Sequence, residues 1–97
     1  MPPIAYLNPA KKYFKKLKDR ALKKKFFDAI QKIRLNPYAG QLKTGDLAGI
    51  YCYDFYYNGT NYEIAYIIEE KENGEIIVVV LAGTRETFYE DLKRYMN

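Results

Sequence analysis

An arginine and a tyrosine near the C-terminus are the residues of this chain best suited to chemistry. Arg85 comes soon after a strongly apolar stretch, Ile76 to Ala82, and Tyr89 follows four positions later. If a helix begins near Glu86, the two side chains lie about one turn apart on the same side. A guanidinium and a phenol at the lip of a sheet can bind a phosphate or serve a proton transfer.

Composition limits the chemistry that is open to this chain. It has 97 residues, no histidine and one cysteine, Cys52. Mechanisms that depend on imidazole are therefore excluded, as are an internal disulfide and a multi-cysteine zinc site. The length suits one domain, residues 1–97, with one modest core. We expect neither a metal nor another cofactor.

Targeting signals are missing from the sequence. The longest apolar run, Ile76 to Ala82, is far too short to span a bilayer. The N-terminus has no basic region that leads into an apolar run, so no signal peptide is predicted. We therefore expect a cytoplasmic protein without a membrane partner.

Charge is distributed unevenly along the chain. Residues 1–45 carry twelve basic and two acidic side chains, a net charge of +10, whereas residues 46–97 carry four basic and ten acidic ones, a net charge of −6. This asymmetry indicates a basic helical face that meets a polyanion or an acidic protein. A solvated, lysine-rich helix surface would account for it equally well.

Two apolar stripes in the first part of the chain predict a helix hairpin. Asn8-Pro9 looks like a helix start, with asparagine as the N-cap and proline at the first helical position. A break is expected near Lys18-Asp19-Arg20. The second helix should end at Asn36-Pro37, because the residue before a proline disfavours the helical conformation. The residues at helical spacing are Tyr13, Phe14 and Leu17, then Leu22, Phe26, Ile30 and Ile33, with Phe27 alongside.

The second half of the chain predicts an antiparallel meander. Residues Ile50 to Tyr57 alternate with period two between an aromatic face and a mixed face. Asn58-Gly59 and Asn73-Gly74 are turn signals that separate this strand from Asn61 to Glu70 and from Ile76 to Leu81. The last strand is apolar on both faces, which is typical of a central strand covered on both sides.

The predicted fold class is α+β, with the N-terminal helix hairpin packed on one face of a small antiparallel sheet. The sheet has three to four strands, the fourth being a further strand at Pro3 to Leu7. A short C-terminal helix, about Glu86 to Tyr95, should bury three residues at spacing i, i+4 and i+7: Phe88, Leu92 and Tyr95. On this plan the opposite sheet face is open and carries Cys52, Asp54, Glu63 and Arg85.

Five segments, in this order, resemble the RelE/ParE superfamily of bacterial type II toxins. They are Leu35-Asn36-Pro37, Leu42-Lys43, Leu47 to Tyr51, Tyr62 to Tyr66 and Gly83 to Tyr89. With the predicted elements between them, the resemblance covers nearly the whole chain. It implies a compact fold of the predicted kind and a role as the toxin of a toxin–antitoxin pair.

The resemblance implies one of two activities. Members of the RelE branch cut mRNA in the ribosomal A site, whereas members of the ParE branch inhibit DNA gyrase, and a small antitoxin neutralises both. We expect a ribosome-dependent, metal-independent endoribonuclease whose partners are a cognate antitoxin, the ribosome and mRNA. A non-catalytic gyrase inhibitor and a binding module that has lost toxicity are the alternatives.

RelE-type cleavage uses the RNA's own 2′-hydroxyl as nucleophile, so the protein must move protons and stabilise negative charge on phosphorus. By the resemblance, Arg85 matches the family's C-terminal arginine and Tyr89 its terminal tyrosine. Lys43 matches a basic residue in the loop before the meander. Arg85 and Lys43 are thus the expected phosphate-binding residues, and Arg85 and Tyr89 the expected catalytic ones.

The sheet residues depart from the RelE pattern. Where RelE-like enzymes carry basic residues, this chain has Cys52, Asp54 and Glu63, and acids repel a phosphate. Either Glu63 or Asp54 is a general base, kept ionised by an arginine within reach, or the nuclease activity is weak or absent. A solvated strand face is the simpler interpretation of the two acids, and a small strand residue that of Cys52.

Overall fold

The helices and strands follow the predicted order. The structure, a computed structural model, describes residues 1–96. Two short 3₁₀ turns, Pro37–Ala39 and Gly45–Leu47, precede and follow the second strand. The main elements are β1 (Ile4–Tyr6), α1 (Asn8–Lys16), α2 (Arg20–Leu35), β2 (Gln41–Leu42), β3 (Tyr51–Tyr57), β4 (Thr60–Lys71), β5 (Gly74–Thr84) and α3 (Arg85–Met96).

The predicted helix hairpin is confirmed, with one change at its start. Helix α1 begins at Asn8 with Leu7 at the N-cap, so Asn8 lies inside the helix instead of capping it. At the predicted break, Asp19 caps the start of α2: its side chain accepts a hydrogen bond from the backbone N–H of Leu22 at 3.1 Å. Helix α2 ends at Leu35, before the Asn36-Pro37 pair, as predicted.

The sheet differs from the predicted one in strand number and direction. It has five strands in the order β1-β5-β4-β3-β2, and β1 pairs with β5 in parallel, so the sheet is mixed. The antiparallel meander of β3, β4 and β5 and the further strand at Pro3 to Leu7 are confirmed. The prediction is wrong in two details, the parallel pairing of β1 and the additional strand β2. Strand β2 has only two residues, Gln41 and Leu42, which is too short for a period-two pattern to reveal it.

Both hairpin turns exist, and the first one fixes the register of the site. Asn58 and Gly59 have φ values of 52° and 78°, the conformation of a two-residue type I′ turn. The second turn lies at Glu72 and Asn73, one residue earlier than predicted, because Gly74 already pairs with Lys71 at the start of β5.

Each face of the sheet packs against helices. On one face, α1 and α2 bury Phe26 and Ile33 against residues that include Tyr66 and Ile77. On the other face, α3 buries Phe88 and Leu92 against a second cluster: Leu47, Ile50, Cys52, Ala65 and Val80. The prediction of an open second face is therefore wrong, because α3 folds back over it. The predicted burial of Tyr95 is also wrong, since that residue is exposed.

The outer surface of the hairpin is basic. The lysines of α1 and α2, and Lys18 between the two helices, are largely exposed to solvent. This arrangement fits both interpretations of the charge asymmetry, a polyanion-binding face and a solvated one. Within residues 1–96, none of the helices is both long enough and apolar enough to cross a membrane.

Candidate active site

The register of three strands brings the candidate residues together. Across the Asn58–Gly59 turn, Asp54 of β3 lies directly opposite Glu63 of β4. On the other side of β4, Glu63 lies opposite Gly83 of β5, and α3 begins at Arg85. Two like charges directly opposite each other destabilise a sheet, so this pair of carboxylates requires a nearby cation.

Arg85 is that cation, and it binds both carboxylates. Its Nε donates to Glu63 Oε2 at 2.6 Å, and its Nη2 donates to Asp54 Oδ2 at 3.1 Å. When the Asn61 amide is turned so that its oxygen faces the guanidinium, that oxygen accepts from Arg85 Nε at 2.9 Å. The hydrogen bond and the negative charge of Glu63 raise the pKa of Arg85 above its already high value.

Glu63 is the buried centre of the cluster. It is 1% exposed, and both of its oxygens accept hydrogen bonds: Oε2 from Arg85, and Oε1 from the Tyr89 hydroxyl at 3.3 Å. Arg85 and Tyr89 therefore do lie on one side of α3, as their spacing predicts. The expectation of a solvated Glu63 is wrong, because α3 covers the face on which Glu63 lies.

The Tyr89 hydroxyl is protonated at neutral pH. Burial, with the negative charge of Glu63 contributing, raises the pKa of the Tyr89 hydroxyl well above its usual value, while Arg85 opposes the shift. The phenol therefore keeps its proton and can give it to a developing oxyanion. Lys43 Nζ lies over the Tyr89 ring, 4.8 Å from its centroid, in a cation–π contact.

Asp54 is the exposed acid of the pair. Its side chain is 52% exposed, and that of its partner Arg85 is 55% exposed. Water screens such a pair, so the contact between Asp54 and Arg85 is weak and easily exchanged. Asp54 thus matches the expected solvated strand position and is also the carboxylate that a substrate can reach.

Cys52 is a small core residue of β3. It packs with Ala65 and Val80 on the α3 side of the sheet. Burial raises the pKa of its thiol to about 11, although the charge of Lys43 acts in the opposite direction. A thiol of this kind is not a nucleophile at neutral pH.

The cluster contains Arg85, Tyr89, Glu63 and Asp54, with Lys43 above the tyrosine ring. Sequence reasoning missed Asn61 and Lys93. Asn61 lies two residues before Glu63 and so shares its face of β4. Lys93 lies four residues after Tyr89 on α3, and it lines a groove with Lys43, Thr44, Asp46, Leu47 and Tyr89.

The described residues offer no evident metal site. Among residues 1–96, no group of three or more histidine, cysteine, aspartate or glutamate side chains could hold an ion. The cluster itself presents one guanidinium, one phenol, two carboxylates and a neighbouring ammonium group.

Solved toxin structures share this fold. The intact RelBE toxin–antitoxin complex of E. coli gives a TM-score of 0.66 at 15% identity, covering 89% of this chain and 99% of that one. The YoeB/ParE toxin from Agrobacterium tumefaciens gives 0.69 at 15% identity, covering 86% and 98%. The isolated E. coli RelE toxin gives 0.66 at 15% identity, covering 98% and 99%. Such low identities establish the fold alone.

Sequence comparisons give one positive and one negative result. No curated protein matches the chain. A family model matches residues 4–93, and it describes the ParE-like toxin of type II bacterial toxin–antitoxin systems.

Proposed function

We propose that this chain, which belongs to the ParE-like toxin family of type II bacterial toxin–antitoxin systems, stops growth by cutting mRNA on the ribosome. The buried carboxylate of Glu63, which holds Arg85 with one oxygen and Tyr89 with the other, is the observation that carries this proposal. A buried acid that fixes two functional groups at a rim is typical of a catalytic site.

Each side chain of the cluster has a role in the phosphoryl transfer. Asp54 takes the proton of the RNA 2′-hydroxyl as its oxygen attacks phosphorus, and Tyr89 gives a proton to the departing 5′-oxygen. The bond from phosphorus to the 2′-oxygen forms and the one to the 5′-oxygen breaks. The products are a 2′,3′-cyclic phosphate and a 5′-hydroxyl end, and solvent then takes the proton from Asp54 and restores that of Tyr89.

Arg85 stabilises the charge that builds on the phosphate oxygens. Its contact with Asp54 is exposed and weak, so an incoming phosphate can take over Nη2 and leave the Asp54 carboxylate free to act as base. Its contact with Glu63 is buried on the carboxylate side and keeps the guanidinium oriented. Glu63 is thus a positioning residue in this mechanism, and Asp54 the general base.

The proposal includes a cognate antitoxin as partner. The E. coli RelE relative has been solved as a toxin–antitoxin complex, and this chain has the same fold. Its basic α1–α2 surface suits a protein with acidic segments as well as ribosomal RNA. A cytoplasmic location and a single domain over residues 1–97 complete the proposal.

A ParE-like inhibitor of DNA gyrase is the second candidate, and the charge of the cluster favours it. Glu63 and Asp54 carry two negative charges and Arg85 one positive charge, so the cluster has an excess of one negative charge. A site with this balance repels a phosphate until Lys43 or another cation compensates. If that repulsion prevails, the toxin acts by binding a protein target without cutting RNA.

Brief expression in bacteria, followed by primer extension on mRNA, separates the two candidates. The nuclease proposal predicts new mRNA ends within minutes, and their loss with Arg85→Ala and Tyr89→Phe. Arg94→Ala is the matched control, because Arg94 lies on the same helix but pairs with Asp91. Growth arrest with intact mRNA and an induced SOS response would instead establish the gyrase candidate.

A further inference from the structure

The groove beside Tyr89 carries two lysines, Lys43 at the edge of the catalytic cluster and Lys93 outside it. Its walls come from the segment after β2, which supplies Lys43, Thr44 and Asp46, and from α3, which supplies Tyr89 and Lys93. Within residues 1–96, neither Lys43 nor Lys93 forms an ion pair. Two lysines thus face one acid, Asp46.

Tyr89 connects this groove to the cluster. Its hydroxyl contacts Glu63, and its ring lies beneath the Lys43 ammonium group. A strand that passes the Arg85 guanidinium and then the Tyr89 ring therefore reaches Lys43. An extended polymer with regularly spaced negative charges can contact both places.

We propose that Lys43 and Lys93 form a second phosphate subsite, which binds an RNA backbone phosphate next to the one that is cut. This inference rests on the proposed nuclease function and deepens it. The charge of Arg85 is outweighed by those of Glu63 and Asp54, so the groove supplies the attraction for the RNA strand that the cluster lacks. Thr44 provides a hydroxyl that can donate to the same phosphate.

Salt-dependent binding of an RNA analogue tests the subsite. The probe is a fluorescent, single-stranded 2′-O-methyl RNA of mixed sequence, which cannot be cut because it lacks the 2′-hydroxyl. Each phosphate contact with a single strand contributes about 0.7 to the slope of log affinity against log salt. Lys93→Gln should lower the slope by about that amount and weaken binding about fivefold at 0.1 M salt.

Two further variants separate the subsite from a general effect of surface charge. Lys43→Gln should act like Lys93→Gln, and the double variant should lower the slope by little more than either single variant, about 0.7, because both lysines bind the same phosphate. Lys71→Gln is the control, because this exposed lysine lies at the far end of β4 and pairs with Glu69. Unchanged melting temperatures would show that the lysine variants remain folded.

The outcomes distinguish this inference from the function on which it rests. If the wild-type toxin cuts mRNA but Lys93→Gln binds and cuts equally well, the subsite is refuted and the nuclease stands. If the wild type neither binds nor cuts RNA, the nuclease proposal fails as well. If Lys93→Gln weakens only antitoxin binding, the groove is an antitoxin contact and the inference is overturned.

Discussion

Replacing Glu63 by glutamine tests the buried centre of the site with little change in shape. The glutamine oxygen can still accept from Arg85 Nε, but its NH₂ group then faces Tyr89, whose hydroxyl must turn to accept. The bond from Arg85 stays charge-assisted, because the guanidinium remains ionised. The bond with Tyr89 changes from a charge-assisted one, worth about 1.5–3 kcal/mol, to a neutral one, worth about 0.5–1.5 kcal/mol. The expected cost is therefore about 1–1.5 kcal/mol of unfolding free energy.

Two features place the cost near the lower end of that range. The Arg85 side chain is 55% exposed, so water partly replaces the lost charge partner. Glutamine also removes the repulsion between Glu63 and Asp54, which lie directly opposite each other. For a chain of this length, such a loss lowers the melting temperature by roughly 4–8 °C.

The effect on cleavage should be larger than the effect on stability. Without the carboxylate, Arg85 is no longer held at the position where phosphate charge develops, and a displacement of about 1 Å can cost about 10²-fold in rate. The assay compares thermal unfolding with the rate of mRNA cleavage on purified ribosomes, at a temperature at which both proteins are folded.

Glu75→Gln is the matched control for this experiment. Glu75 also accepts a hydrogen bond from a tyrosine, Tyr38, at 2.7 Å, but the pair is exposed and lies on the hairpin side of the molecule. The Glu75→Gln variant should cut mRNA at the wild-type rate, and its melting temperature should shift by a few degrees at most. If Glu63→Gln melts and cuts like the wild type, Glu63 does not organise the site and the reasoning is refuted.

Two further changes have defined outcomes. Asp54→Asn should lower the cleavage rate by about 10²–10⁴-fold, the contribution of a general base. Its melting temperature should change little, because the side chain is half exposed. Asp28→Asn on α2 is the control, and cleavage by Asp54→Asn at the wild-type rate would remove Asp54 from the mechanism. The free energy of unfolding should fall as the pH rises above about 10. Burial raises the pKa of Tyr66 in the folded protein to about 12, so the unfolded chain loses this proton at a lower pH and is favoured there. Denaturant titrations between pH 9 and 12 should show a shallower fall for Tyr66→Phe, and an identical fall would contradict the assignment.

Much of the site was predictable from short-range signals. The Asn58-Gly59 turn and the period-two pattern of the flanking strands place position 54 opposite position 63, and this register puts two carboxylates side by side. The helical spacing of Arg85 and Tyr89 likewise predicts that both can reach one partner. Each of these inferences depends only on residues that are close in sequence.

The covering of the second sheet face was not predictable in this way. The stripe of Phe88 and Leu92 shows that α3 buries one side, but no local signal specifies which face of the sheet it meets. Glu63 in an alternating strand is typical of a solvent-facing position, and its burial depends on this tertiary contact. The same stripe extends to Tyr95, which nevertheless stays exposed.

The sheet edges also depend on contacts between distant parts of the chain. Strand β1 pairs with β5 across two helices and three strands, with Ile4 opposite Ile77. Its three residues are too few to indicate a direction. Strand β2, with two residues, is defined only by its pairing with β3.

Cleavage of a defined mRNA in a reconstituted translation system tests the central claim most directly. The account predicts that the purified wild-type toxin produces fragments with 2′,3′-cyclic phosphate and 5′-hydroxyl ends, that Arg85→Ala produces none, and that Glu63→Gln cuts about 10–10²-fold more slowly. Intact mRNA on ribosomes treated with wild-type toxin, or equal cleavage by wild type and Glu63→Gln, would contradict it.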